Sequence, residues 1–222
     1  MTEDRIAPVL KTEDLAVSRA GRLLLTGLTL TLEPGAILHV SGENGIGKTS
    51  LIRTLAGLAP PAGGRLWLSG VPFMEDPQGH RESCLMIAHE NALKPALSVA
   101  RNLTFWAQVW GATDASVAAV RRLFGLAALW ERPVRTLSQG QKRRVSLARL
   151  AFAGDRPLLL LDEPWVGLDE AAAQELADCL FAHARAGRAI VMTSHQPVPM
   201  AGIATLHLKA HVAPAQEETE TV

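Results

Sequence analysis

The sequence has no tyrosine, and only five phenylalanines and five tryptophans in 222 residues. Aromatic platforms on which a planar ligand could stack are therefore scarce. Its two cysteines, Cys84 and Cys179, are far apart and form no CxxC or CxxCH pattern. That suits a reducing compartment and offers neither a metal nor a haem attachment motif. Charge of one sign is not in excess, with 22 basic residues against 22 acidic ones. The whole molecule exerts no pull on nucleic acid, and only a local basic patch remains open. Although 48% of the residues are hydrophobic, no uninterrupted apolar run approaches the ~20 residues that span a bilayer. The opening MTEDRIAPVL carries acidic residues and does not read as a signal peptide. No internal repeat is visible.

The chain is long enough to bury a substantial core, as one domain or a core with a subdomain. The first third reads as strands. LLLTGLTLTLEPG alternates up to a turn at Pro34-Gly35, and AILHVSG is a short apolar run ending in glycine. KTSLIRTLAGL has helical spacing, PPAGG at 60–64 is a turn cluster, and RLWLSG reads as a further strand. Between about residues 92 and 155, SVARNLTFWAQVWG and DASVAAVRRLFGL look helical and strands are few. After Pro157 come strand LLLLD, helix EAAAQELADCLFAHARAG and strand AIVMTSH. Such alternation predicts a mostly parallel sheet covered by helices. The reading is one domain over residues 1–212, followed by an acidic, apolar-poor tail at 213–222 expected to be disordered.

GENGIGKT, Gly42 to Thr49, fits G-x-x-x-x-G-K-[ST], after a predicted strand and at the start of a predicted helix. Glycines let the backbone wrap closely, so that the N–H groups of Gly42, Glu43, Asn44, Gly45, Ile46 and Gly47 can face phosphate oxygens. The helix N-terminus, with Ser50 in its first turn, adds partial positive charge. Lys48 is expected to reach the β- and γ-phosphates of ATP, and the Thr49 hydroxyl to bind Mg2+. LLLLDEP, residues 158–164, is an apolar strand ending in two carboxylates. A strand of four leucines belongs at the centre of a parallel sheet, and ligands gather beyond the carboxyl ends of such strands. Asp162 is then placed to reach Mg2+ through water, and Glu163 to polarise the attacking water. AIVMTSH ends at His195, where an imidazole could touch the γ-phosphate.

LSQGQ, residues 137–141, holds a second set of phosphate binders, Ser138, Gly140 and Gln141, at what reads as a helix start. The helical segment separates it from the first set. If two copies pack head to tail, the set from one chain can cover the nucleotide held by the other. The basic run Lys142–Arg144 that follows reads as facing solvent or neighbouring acids, without a catalytic role.

Together, Gly42–Thr49, LSQGQ, LLLLDEP, GLD at 167–169 and TSH at 193–195 resemble, in order and spacing, the motifs of ABC-type ATPases. The resemblance covers about residues 12–210. It implies a P-loop NTPase core with an antiparallel β N-terminal part and a helical subdomain. It further implies ATP hydrolysis, a head-to-tail homodimer formed on ATP binding, Ser138 and Gly140 closing on the partner's ATP, Asp169 at the dimer interface and His195 as a switch. Three departures stand out. Glu90 occupies the place where the family usually has a glutamine contacting Mg2+ and the membrane partner. The adenine platform lacks an aromatic, and LAVSRAGRLLL offers Arg19 or Arg22, of which Arg19 is the choice for guanidinium stacking. Trp165, where small polar residues are more usual, either meets the dimer partner or fills core.

Within that family, SLIRTLAGLAPPAGGRLWLSG, AHENALKPALSVARNLTFWAQVWG, GQKRRVSLARL and SHQP resemble the ATP-binding subunit of bacterial cytochrome c maturation (haem exporter) systems. That resemblance implies a peripheral subunit on the cytoplasmic face of the inner membrane, beside integral permease subunits. No direct haem contact is expected, because His39, His80, His89, Cys84 and Cys179 stand in no ligand motif. The 27 residues after His195 leave no room for a regulatory domain. The alternatives are an ABC ATPase subunit serving another substrate and, with the neutral charge against it, a soluble ABC protein acting on nucleic acid or ribosomes.

Overall fold

The structure, a computed structural model, describes residues 7–209, which leaves the 213–222 tail outside the described residues. In chain order the elements are β1 (Leu10–Arg19), β2 (Arg22–Leu32), β3 (Ile37–Ser41), α1 (Lys48–Leu55), β4 (Gly63–Leu68), β5 (Val71–Pro72), α2 (Pro77–Glu82), β6 (Cys84–Ile87), α3 (Val99–Val109), α4 (Asp114–Val120), α5 (Gln139–Leu147), β7 (Leu158–Leu161), α6 (Glu170–Arg185), β8 (Ala189–Thr193) and β9 (Ala204–His207). Short 3-10 turns at Leu123–Leu129, Val134–Thr136 and Ala148–Phe152 fill the helical stretch.

Two sheets form. The antiparallel sheet has strand order β2-β1-β4-β5, and the parallel sheet β6-β7-β8-β3-β9. This is the expected α/β architecture, with an antiparallel N-terminal part beside a parallel core and helices between about 99 and 152. All four leucines of β7 are buried. Leu158 and Leu160 pack into the core shared with α1 and the antiparallel sheet, while Leu159 and Leu161 pack on the opposite face with α6 and the helical stretch. Strand alternation thus puts one strand into two hydrophobic clusters, each fully buried leucine contributing roughly 1.5–3 kcal/mol.

Three local expectations are corrected. The helix over DASVAAVRRLFGL stops at Val120, and Phe124 (φ 52°) and Gly125 (φ 66°) turn left-handed beyond it. Phe124 lies only 2% exposed there, so core burial of its ring outweighs the helical periodicity. Gly63 and Gly64 belong to β4 and not to the preceding turn. At Gly64 (φ +72°) a Cβ would stand 2.3 Å from the carbonyl oxygen of Asp14, so the pairing of β1 with β4 needs a glycine at this irregularity. The basic run after LSQGQ does not uniformly face solvent: Arg143 is 4% exposed and buried between elements.

Candidate functional site

β7, β8 and β3 are consecutive neighbours in the parallel sheet. Their carboxyl ends therefore lie side by side, and the segments that follow them, Asp162–Glu163, Ser194–His195 and Gly42–Gly47, meet along one edge. This is the edge at which ligands bind in such sheets.

The loop after β3 wraps because its glycines take conformations that L side chains avoid, with φ +149° at Gly42, +81° at Gly45 and +117° at Gly47. Gly47 is also the residue before α1, and a Cβ on it would press to 3.3 Å from Leu24 and Leu25 of β2. The antiparallel hairpin thus braces the loop. Lys48 is 7% exposed, and its Nζ donates to the carbonyls of Gly42 (2.7 Å) and Glu43 (3.1 Å) while standing 3.9 Å from Glu163 Oε1. The ammonium curls back over its own loop, inside the cradle formed by residues 42–49. Ser50 is buried one residue beyond Thr49 in α1.

Thr49 Oγ1 donates to Asp162 Oδ2 at 2.8 Å, and Thr193 Oγ1 donates to Asp162 Oδ1 at 2.7 Å. Asp162 is 1% exposed, so these two hydroxyls hold a buried carboxylate in place. A hydroxyl beside a single carboxylate is an all-oxygen donor set that fits Mg2+, which favours hard oxygen ligands and takes most of its coordination from water and substrate phosphates.

Glu163, next in sequence, has φ +50°, a left-handed conformation that costs a residue with a side chain about 1–3 kcal/mol. The turn is pinned from both sides: its N–H donates to Thr193 Oγ1 (3.0 Å), and its carbonyl accepts from Arg143 Nη2 (2.9 Å). The kink aims the carboxylate across the sheet edge. There Oε2 lies 3.0 Å from His195 Nδ1 and accepts the His195 N–H at 3.3 Å. The structure therefore brings Lys48, Thr49, Asp162, Glu163 and His195 together from three strand ends.

Ser138 caps α5. Its Oγ accepts from the N–H of Gln141 at 3.2 Å, and Gln141 Oε1 accepts from the N–H of Ser138 at 3.0 Å. This reciprocal box occupies the Gln141 carbonyl oxygen, whereas the Ser138 hydroxyl, acting as acceptor, keeps its own proton for another partner. Gly140 packs so closely on the loop after β7 that a Cβ would stand 2.3 Å from Gly167 O. Asp169 caps α6, with Oδ1 accepting from Ala172 N at 2.9 Å, and its other oxygen pairs with Arg144. No hydrogen bond joins Ser138, Gly140 or Gln141 to residues 42–50 among the described residues.

Glu90 is exposed in the loop after β6 and forms no hydrogen bond or ion pair with Thr49, Asp162 or Glu163. Arg19 is exposed at the tip of the β1–β2 hairpin, in register with Arg22. Trp165 packs partly buried against the helical core cluster, with its indole nitrogen lacking a partner among the described residues. Two residues that motif reading passed over prove central. Thr193 bridges Asp162 and Glu163, and Arg143 binds the backbone around them. No spacing singles out Arg143 in the sequence, since residues 145–150 behind it are all buried whichever face they occupy.

The ABC transporter family profile matches residues 25–166, more than half of the chain. The chain is 43% identical over 202 residues to the "Cytochrome c biogenesis ATP-binding export protein CcmA" of Rhodospirillum rubrum, covering 91% of this chain and 86% of that one. It is 45% identical over 201 residues to the protein of the same description from Paramagnetospirillum magneticum, covering 88% and 92%. Among solved structures, a bacterial Atm1-family ABC exporter with ATP bound superposes with a TM-score of 0.79 at 22% identity, over 91% of this chain and 37% of that one. An ATP-binding subunit of an ABC transporter superposes at 0.75 with 24% identity, over 84% and 79%. At those identities the two structures speak for the fold.

Proposed function

Since the chain belongs to the ABC transporter family, as an ATP-binding and ATP-hydrolysing subunit, we propose that it powers haem delivery for c-type cytochrome maturation. The observation that carries this reading is its 43–45% identity, over about nine-tenths of its length, to cytochrome c biogenesis export ATPases. Among the described residues no helix is long and apolar enough to cross a membrane. The role thus calls for separate integral permease subunits, with this subunit peripheral on the cytoplasmic face of the inner membrane.

The chemistry assigned to the site is phosphoryl transfer to water, in which a protein mainly positions groups and neutralises charge. The amides of residues 42–49 and the N-terminus of α1 receive the phosphates. Lys48, already held inside the loop, pairs with the β- and γ-phosphates. Mg2+, held by Thr49 and through water by Asp162, would draw charge from the phosphate oxygens. Glu163 accepts a proton from the attacking water as the new oxygen–phosphorus bond forms and the bond to the ADP oxygen breaks. His195, hydrogen-bonded to that carboxylate, orients it and stands beside the γ-phosphate.

Ser138, with its proton free, and the amide of Gly140 would complete the nucleotide site of a second copy, giving a head-to-tail homodimer on ATP binding. Asp169 lies on that same interface. Arg19 stacks on adenine, and Glu90 approaches Mg2+ when the nucleotide is bound. No direct contact with haem and none with nucleic acid is part of this role.

The test is a membrane pull-down of tagged Glu163→Gln protein with ATP, reading the co-purifying proteins by mass spectrometry. Recovery of cytochrome c maturation membrane proteins supports the haem reading. Recovery of a different permease discards it and leaves the ATPase assignment standing.

A further inference from the structure

We propose that Arg143 is a positioning residue for hydrolysis: one guanidinium ties the left-handed turn at Glu163 to the start of α5 and to the loop that carries Glu90. The proposal rests on the reading of Glu163 as the general base.

The five N–H groups of the guanidinium face six acceptors, so the two protons of Nη1 are shared among three of them. Arg143 Nη2 donates to the carbonyls of Asp162 (2.8 Å) and Glu163 (2.9 Å), and Nε to that of Pro164 (3.3 Å). Nη1 donates to the carbonyls of Ala88 (2.8 Å) and His89 (3.4 Å) and to Asn91 Oδ1 (3.4 Å). Three consecutive carbonyls converge on one side chain because the backbone kinks at Glu163, where φ is +50°. A flat, forked donor is suited to read such an arrangement, and a lysine, a point charge on a flexible stem, is not.

The burial makes the choice of residue informative. Arg143 is 4% exposed and, among the described residues, has no carboxylate hydrogen-bonded to it; all but one of its acceptors there are backbone carbonyls. Burial lowers its pKa to about 10, against the pull of Asp162 and Glu163, so it stays protonated at neutral pH. A buried cation is a poor device for stability alone, since apolar packing commonly does as well. Its return here is geometric. The Glu163 carboxylate is aimed by a strained backbone, and a shift of about 1 Å at a reacting group can cost on the order of a hundredfold in rate. Arg143 fixes that backbone from the helix that begins with Ser138, and from residues 88–91 on either side of Glu90.

The experiment compares Arg143→Lys and Arg143→Gln with wild type in the full chain. It reads steady-state ATPase kcat and KM, nucleotide affinity by fluorescent-ATP titration, and thermal unfolding. Arg143→Lys keeps the charge and loses the fork. Arg143→Gln removes the buried charge and keeps one donor near the position of Nε, which faces the Pro164 carbonyl. Both are expected to lower kcat by about tenfold or more, with ATP affinity within about threefold of wild type. In a Glu163→Gln background neither is expected to lower turnover further, because both changes act through one carboxylate. Wild-type kcat in the Arg143 variants, beside an inactive Glu163→Gln, would overturn the proposal and leave the base reading intact. ATP affinity falling in step with kcat, or loss of the folded state in both variants, would also overturn it, by making Arg143 a fold residue only. Wild-type turnover in Glu163→Gln itself would remove the base reading and the proposal with it.

Discussion

Glu163 Oε2 lies 3.0 Å from His195 Nδ1, although the two residues come from different strand ends and are 32 positions apart. The same oxygen accepts the His195 N–H at 3.3 Å. The fold itself therefore holds the carboxylate in one orientation, as electrostatic preorganisation requires. Glu163→Gln keeps the size and the backbone and removes the proton acceptor. Its kcat is expected to fall by about 10²–10⁴-fold with ATP binding retained. His195→Ala frees the carboxylate to rotate and is expected to lower kcat with a smaller effect on nucleotide affinity. Parallel ATPase assays and nucleotide titrations decide both. Unaltered kcat in His195→Ala would show that its contact with Glu163 is idle in hydrolysis.

Thr193 holds both acids at once. Its hydroxyl donates to Asp162 Oδ1 at 2.7 Å and accepts from Glu163 N at 3.0 Å, and the residue is fully buried. Thr193→Val keeps the shape and removes both bonds, leaving a buried carboxylate short of a donor and a strained backbone N–H without an acceptor. A loss of about 1–3 kcal/mol in stability is expected, with reduced turnover. Thr193→Ser restores the hydroxyl and should recover most of both. Urea unfolding and ATPase rates on the three proteins test it; equal behaviour of the valine and serine variants would show that the hydroxyl is dispensable.

Much of this site was legible because chemistry restricts what residues can be used. Close wrapping of a backbone around phosphate demands glycines, so Gly42, Gly45 and Gly47 announce the loop, and each has a positive φ. A strand buried on both faces must be wholly apolar, so Leu158–Leu161 declares its place in the sheet and hence that of Asp162. What escaped was set by tertiary contact. β6 and β9 are four residues each, too short for alternation to show. Arg143 reads as one member of a solvated basic run, and only its partners, 52–55 positions upstream in 88–91 and 19–21 downstream in 162–164, reveal a buried clamp. The left-handed turn at Glu163 has no sequence mark at all, since a glutamate there breaks the local preference and is held by Thr193 and Arg143.

Three histidines make the fold sensitive to acid. Burial lowers the pKa of His39 and of His80, and takes that of His183 down to about 4. His183 is therefore neutral in the folded state near pH 6, whereas the unfolded chain takes up protons at the ordinary value of about 6.5; burial displaces His39 and His80 in the same direction. The unfolded state binds more protons between the two values, so stability rises with pH through that window and levels off above it. For His183 the window runs from about 4 to 6.5. Urea midpoints should therefore fall as pH is lowered from 7.5 to 5, and His183→Asn should flatten part of that slope. A midpoint unchanged across the range would contradict the burial argument.

Gly140 and Gly167 touch backbone to backbone. A Cβ on Gly140 would lie 2.3 Å from Gly167 O, a distance that cannot be accommodated without moving one loop from the other. The residues on either side of this contact are tied as well, through the Ser138–Gln141 capping box and the Arg144–Asp169 pair. Gly140→Ala is therefore expected to displace the Ser138 end of α5 relative to Gly167–Asp169, while leaving the loop at 42–49 untouched. In the proposed head-to-tail dimer those two segments meet the partner together. The expected result is ATP affinity of the monomer within about threefold of wild type and loss of ATP-dependent dimerisation, read by size exclusion with light scattering in a Glu163→Gln background. Because Gly140 has no positive φ, backbone strain does not enter, and the alanine tests the contact alone. A dimer that forms as readily as with glycine would show that the close approach of Gly140 to Gly167 is a matter of packing, and that the second phosphate-binding set does not depend on it.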